Sequence, residues 1–168
     1  MHGVTTDETS RRRIVFRVLG VGWDDERARV LREAMSEEVG RLYADRGHEA
    51  GSRALSIQED SVLYTGLAVT GDGQGIGHIA LRRLRSDVEI KRMYVRPGYR
   101  GVGVAGALVD AVEQFARDHG ERRIVLATGD RQPEAVGLYR KAGFTPIEIY
   151  PPYVHLGKHS KAFAKLLA

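Results

Sequence analysis

The chain has 168 residues, 42% of them apolar, and 26 basic against 22 acidic side chains give a formal charge of +4. That length and apolar content suit one globular domain around a single core, and the modest basic excess suits an acidic small ligand as well as nucleic acid. There is no cysteine, which excludes disulfides, a thiol nucleophile and thiolate metal ligands, and fits a cytoplasmic setting.

The opening "MHGVTTDETS" is polar and acidic. It reads as a flexible tail over residues 1–12 rather than a signal peptide, and no stretch approaches the roughly 18 apolar residues of a membrane span. Residues 13–168 read as one domain. "RIVFRVLG" (13–20) alternates and is β-branched, predicting a strand. Ala28, Leu31, Met35, Val39 and Leu42 then recur at helical spacing, with Asp24 as N-cap, Gly47 as stop, and Ser36 with Gly40 as a place to kink or split the helix. "SVLYTGLAVT", "IGHIALRRLR" and "VEIKRMYV", separated by "GDGQG" and "SD", predict a three-stranded antiparallel meander. After the loop "YRGVGVAG" comes a helix over about 103–119 with Val104, Leu108, Val112 and Phe115 on one face, then the strand "RRIVLAT". A second helix opens at Pro133 and stops at Gly143, and "TPIEIY" and "KAFAKLL" read as closing strands.

The loop carries Gly101, Gly103 and Gly106 in the spacing of a dinucleotide fingerprint. In that fingerprint the first glycine ends the strand directly and an acid about 20 residues on holds the ribose. Asp130 is a tempting acid, but "RPGYR" between Val95 and Gly101 makes the turn too long, and a meander precedes it where βαβ units belong. No lysine followed by Ser or Thr sits in the loop, which argues against a nucleoside triphosphatase. What survives is the chemistry of small residues at a helix start: Gly101, Gly103, Ala105 and Gly106 let backbone N–H groups converge on an anion. The plain alternative is an ordinary tight turn.

Arg100, Gly101, Val102, Gly103, Val104 and Ala105 resemble the acyl-CoA loop of the GNAT N-acetyltransferase superfamily. The resemblance follows element order from about 13 to 167 and is most specific in "EIKRMYVRPGYRGVGVAGALV" and "RQPEAVGLYRKAGF". It implies an α/β fold with a mixed central sheet of six to seven strands, a splayed central pair and about four flanking helices. It implies acetyl-CoA as acyl donor, no metal, and direct transfer to a primary amine of a small molecule or amino acid. Pantetheine would lie on the backbone of Met93, Tyr94 and Val95. The pyrophosphate would sit on the amides of Gly101, Val102, Gly103, Val104, Ala105 and Gly106, with Arg100 adding charge. Gln132 stands where the family often has Asn, leaving its contact with pantetheine in question.

The same resemblance makes Glu89 the proton acceptor, Tyr139 the donor to the departing thiolate, and the Val95 N–H the stabiliser of the oxyanion. A free carboxylate titrates about six units below an alkyl ammonium, so a base at Glu89 needs a relaying water or an amine already partly neutralised. Residues 89, 91, 93 and 95 share a strand face if no bulge intervenes. The alternative for Glu89 is a surface carboxylate paired with Lys91 or Arg92; for Tyr139 it is a tyrosine packing its helix on the sheet. Tyr150, Tyr153, His155 and Tyr43 are candidates for the acceptor pocket, against ordinary loop packing. His155 and His159 are four apart, but in a loop with Pro and Gly and without a third ligand they suggest no metal. "RRR" and "LRRLR" have no interleaved aromatics and read as solvated faces, not a nucleic-acid surface. The rival function is a non-catalytic acyl-CoA sensor; a homodimer is a further expectation.

Overall fold

The structure, a computed structural model, describes residues 13–47 and 56–168; the expected tail over 1–12 lies outside them. In chain order the elements are β1 (Phe16–Val21), α1 (Glu26–Leu42), β2 (Val62–Thr70), β3 (Gly75–Leu84), β4 (Asp87–Val95), α2 (Val104–Asp118), β5 (Arg123–Gly129), α3 (Pro133–Lys141), β6 (Thr145–Ile147) and β7 (Ser160–Leu166). They form one seven-stranded sheet in the order β1-β2-β3-β4-β5-β7-β6, antiparallel except where β4 meets β5. No helix among the described residues is long and apolar enough to cross a membrane.

Alternation along β2 separates two cores. Leu67 and Val69 turn to α1, where they meet Ala28 and Leu31, while Ala68 turns to the cluster of Val104, Leu108 and Val112 on α2. Gly77 on β3 lets α2 approach closely, since a Cβ there would stand 2.9 Å from Leu108 and 3.0 Å from Val104. The start of α1 differs from expectation by one residue: Asp25, not Asp24, caps it, accepting from the Arg27 N–H at 2.9 Å. The helix runs unbroken through Ser36 and Gly40 to Leu42, and Gly47 closes a following 3-10 turn rather than the helix.

Two features of β4 set up the site. First, β4 and β5 pair only at Val88 with Ile124 and Glu89 with Val125, and then part. Second, the register with β3 passes from Ala80 opposite Lys91 to His78 opposite Tyr94, so β4 carries an extra residue, with Arg92 at φ 56°. This bulge overturns the expectation that 89, 91, 93 and 95 share a face. Val88 and Ile90 face the α2 core before it, Met93 and Val95 after it, and Tyr94 joins the α1 core. Glu89 and Lys91 are therefore on the α1 side, opposite Met93 and Val95. His78 pins the bulge. Its Nδ1–H donates to the Arg92 carbonyl at 2.8 Å, which leaves Nε2 as acceptor for Arg32 at 3.1 Å. Burial first, then the two arginines, pulls this imidazole down to about 4, so it is neutral.

Candidate active site

Between β4 and α2 the chain makes a 3-10 turn at Pro97–Tyr99 and then the glycine-rich loop. Gly101 (φ 78°) and Gly103 (φ 95°) hold left-handed backbone that other residues adopt only under strain. Gly103 is the N-cap of α2, and no side chain caps that end. The first N–H groups of a 15-residue helix are thus available to a ligand at its positive pole. Gly101, Gly103, Ala105 and Gly106 line an open groove of about 1150 Å³ whose opposite wall includes Pro133, Ala135 and Leu138 of α3. Ordinary small-molecule pockets hold roughly 300–1,000 Å³, so this one suits a longer ligand. Val104 is buried in the core and Val102 packs against it, which leaves their backbone as the part that can meet a ligand. Arg100 donates from Nε to the Val95 carbonyl at 2.8 Å and from its terminal nitrogen to Glu38 at 2.7 Å, so its charge is shared with an acid at the rim.

A second cavity of about 140 Å³ continues from the groove, and Met35, Val39, Met93, Gln132 and Ala135 line both. Tyr139, Tyr43, Tyr153 and Lys91 are among its other walls. Tyr139 is 4% exposed and packs edge-on against Phe144; burial pushes its phenol up, so it stays protonated. The Tyr43 hydroxyl accepts from the Arg131 N–H at 3.2 Å and lies over Gly129, where a Cβ would come within 1.9 Å of that oxygen. Asp130 forms a two-pronged ion pair with Arg46 at 2.8 and 3.0 Å, so it clasps β5 to the turn after α1.

Glu89 is fully buried. Its Oε1 accepts from Arg82 Nε at 2.8 Å and from Tyr153 at 3.0 Å, and its Oε2 accepts from Tyr150 at 2.5 Å. The Tyr153 hydroxyl in turn accepts from Arg82 and from Lys91, each at 3.0 Å, which uses its one donor and both lone pairs. Burial, reinforced by Glu89, holds both phenols protonated. Burial also pulls Lys91 down to about 8, against the opposing pull of Glu89. Glu89 does not reach the cavity wall; Tyr153 and Lys91 do.

The model of the acetyltransferase (GNAT) family matches residues 27–144. The chain belongs to the GNAT acetyltransferase family. This acetyltransferase is 31% identical over 124 residues to the IAA acetyltransferase of Azospirillum brasilense, covering 73% of its own length and 80% of that protein. It spans 26% of rat N-acetyltransferase family 8 member 2 and 47% of mouse N-acetyltransferase 8. Its fold is shared with a GNAT acetyltransferase of Staphylococcus aureus, at TM-score 0.71 and 19% identity over 92% of this chain and all of that one. It is likewise shared with the PaiA N-acetyltransferase of Thermoplasma acidophilum, solved in complex with coenzyme A, at TM-score 0.69 and 17% identity over 92% and 100%.

In the acetyltransferase most residues expected to hold the donor gather as a group: Met93, Tyr94, Val95, Arg100, Gly101, Gly103, Ala105, Gly106 and Gln132 line the groove, whereas Val102 and Val104 do not. Tyr139, Tyr43 and Tyr153 meet at the inner cavity. Tyr150 goes to Glu89 instead, and His155 is exposed and lines neither space. His159 lies 3.6 Å from Asp130. The alternative reading of Glu89 as a surface carboxylate is corrected, because the partner across the ladder is Arg82, drawn inward from "LRRLR". That stretch is accordingly no solvated face throughout; its next arginine, Arg83, pairs with Glu121. Sequence reasoning missed Arg82, and Lys91 and Arg92 as wall residues. The signal was two cations following Glu89 in a strand otherwise apolar.

Proposed function

We propose that this chain transfers an acetyl group from acetyl-CoA to a primary amine of a small molecule or amino acid, by direct attack on the thioester. The observation that carries this reading is the continuity of groove and cavity through the gap where β4 leaves β5. The groove fits the donor: a helix N-terminus without a side-chain cap suits a pyrophosphate, and an open strand edge suits an amide-bearing arm. The bound donor supplies the activated acyl group. The chain's own residues orient it and move protons.

Arg96 donates to the Ile76 carbonyl at 2.9 Å. By the alternation of an antiparallel ladder, the Val95 N–H then points away from β3 into the gap, where it can meet a developing oxyanion. Tyr139, kept protonated by burial, can return a proton to the thiolate. An amine in the inner cavity reaches Glu89 through Tyr153 by displacing Lys91 Nζ from the phenol oxygen, which then takes the amine's proton as its own proton passes to the carboxylate 3.0 Å away. The test is coenzyme A release across amines and amino acids, with wild type, Glu89→Gln and Tyr153→Phe side by side. Amine-dependent release lowered in both variants is expected. Release unchanged in Glu89→Gln removes that residue from the proton path. Tight acetyl-CoA binding without release for any amine replaces transfer with an acyl-CoA sensor.

A further inference from the structure

The inner cavity has a one-sided charge. Its wall contains Arg46, Lys91 and Arg92 and no aspartate or glutamate. Arg46 is answered from outside by Asp130 at 2.8 Å, and Lys91 lies on Tyr153 within the field of Glu89. Arg92 is different. The bulge holds it at φ 56° and sends its guanidinium toward α1, where one terminal nitrogen donates to the Ser36 hydroxyl at 2.9 Å. Its Nε is buried with no hydrogen-bond partner among the described residues. Burial weakens its hold on its proton, and Arg32 adds to that effect. A cation with a buried, unpartnered donor is costly to hold, and an anion in the cavity that this residue lines offsets its charge.

We infer that the acceptor is an amine that also bears a carboxylate, and that Arg92, with Lys91 beside it, receives that carboxylate. This deepens the acetyl-transfer reading and rests on it. An ammonium alone would enter a cavity whose charges repel it; a carboxylate on the same molecule offsets them. Met35, Val39, Leu126 and Leu156 give the cavity apolar walls, and its volume of about 140 Å³ restricts the occupant to a small molecule. A free amino acid combines these properties. A diamine or a polycationic antibiotic does not.

The experiment separates binding from catalysis. Calorimetry with coenzyme A present compares a panel of small N-acetylated amino acids with their N-acetylated amides, which differ in the carboxylate and carry no amine. Wild type is expected to bind at least one acid about tenfold or more tighter than its amide, as a charge-assisted contact predicts. Arg92→Gln brings that ratio close to one, and Arg92→Lys, which keeps the charge without the fork, keeps part of it. Coenzyme A affinity in each variant reports that the fold is intact. No preference for any acid in wild type overturns the inference, and so does a preference that survives in Arg92→Gln. Amine-dependent coenzyme A release is measured separately. Acid preference without release leaves the anion site standing and removes acetyl transfer; release without acid preference does the reverse.

Discussion

Glu89 and Lys91 stand two residues apart on one face of β4, and burial acts on them with different results. Glu89 gains Arg82 and two phenols, whereas Lys91 is 8% exposed with its proton held only to about pH 8. In the unfolded chain a lysine titrates near 10.4. Between those values the unfolded state binds the extra proton, so this residue's contribution to stability rises with pH across the window and is lost as pH falls through about 8. Relative to Lys91→Met, wild type should therefore gain on the order of 1–2 kcal/mol between pH 7.5 and 9.5, measured by urea unfolding at both values; a constant difference would show that Lys91 is not desolvated. Tyr139 bears on rate instead of stability. Tyr139→Phe should lower kcat roughly ten- to a hundredfold with little change in KM for acetyl-CoA, since a thiol is a fair leaving group even unassisted. Steady-state kinetics checks it. Individual residues were legible where a motif fixed their place, as for Tyr139 and Gln132. They were not where a contact across the fold decided it, as for Tyr150, whose hydroxyl turns to a carboxylate 61 positions away.

At the scale of elements, strands and helices followed from alternation and helical spacing, because each is a local pattern. The bulge did not, because an extra residue in β4 exists only relative to its partner strand, and "EIKRMYV" reads as regular alternation without that partner. Its effect is large: it turns Met93 and Val95 toward the α2 face and leaves Lys91 and Glu89 on the other. The glycine-rich loop was legible in its place, at an uncapped helix start with two positive-φ positions, and the anion it is proposed to hold is a matter for experiment. Gly103→Asp and Gly103→Asn impose the same backbone strain, and only the first adds a negative charge. Acetyl-CoA affinity should fall in both and fall about tenfold further in Gly103→Asp, by calorimetry at low ionic strength. Equal losses would assign the effect to strain and take the phosphates off the helix end.

At the scale of the whole molecule, the sheet is continuous at one end of the β4–β5 pair and open at the other, and three separate parts of the chain close around the opening. The loop before α2 supplies one wall, α3 another, and the C-terminal half of α1 a third. The contacts joining these parts include rim ion pairs, Arg100 with Glu38 and Arg131 with Asp45. Exposed pairs of this kind contribute little. A ligand in the groove would replace the missing strand contacts, so its stabilising effect belongs where β4 and β5 have parted and not where they pair. Coenzyme A should slow amide exchange in residues 93–95 and 98–106 by more than in Val88, Glu89, Ile124 and Val125, which already share the ladder and report only the gain of the whole fold. At a hundredfold excess over Kd the whole fold should gain about 2.7 kcal/mol, seen as a higher Tm, and NAD at the same concentration should give no shift. Protection spread evenly over the sheet would mean that the ligand stiffens the fold from elsewhere. A shift with NAD would return the loop to the dinucleotide reading that its length before Gly101 argues against.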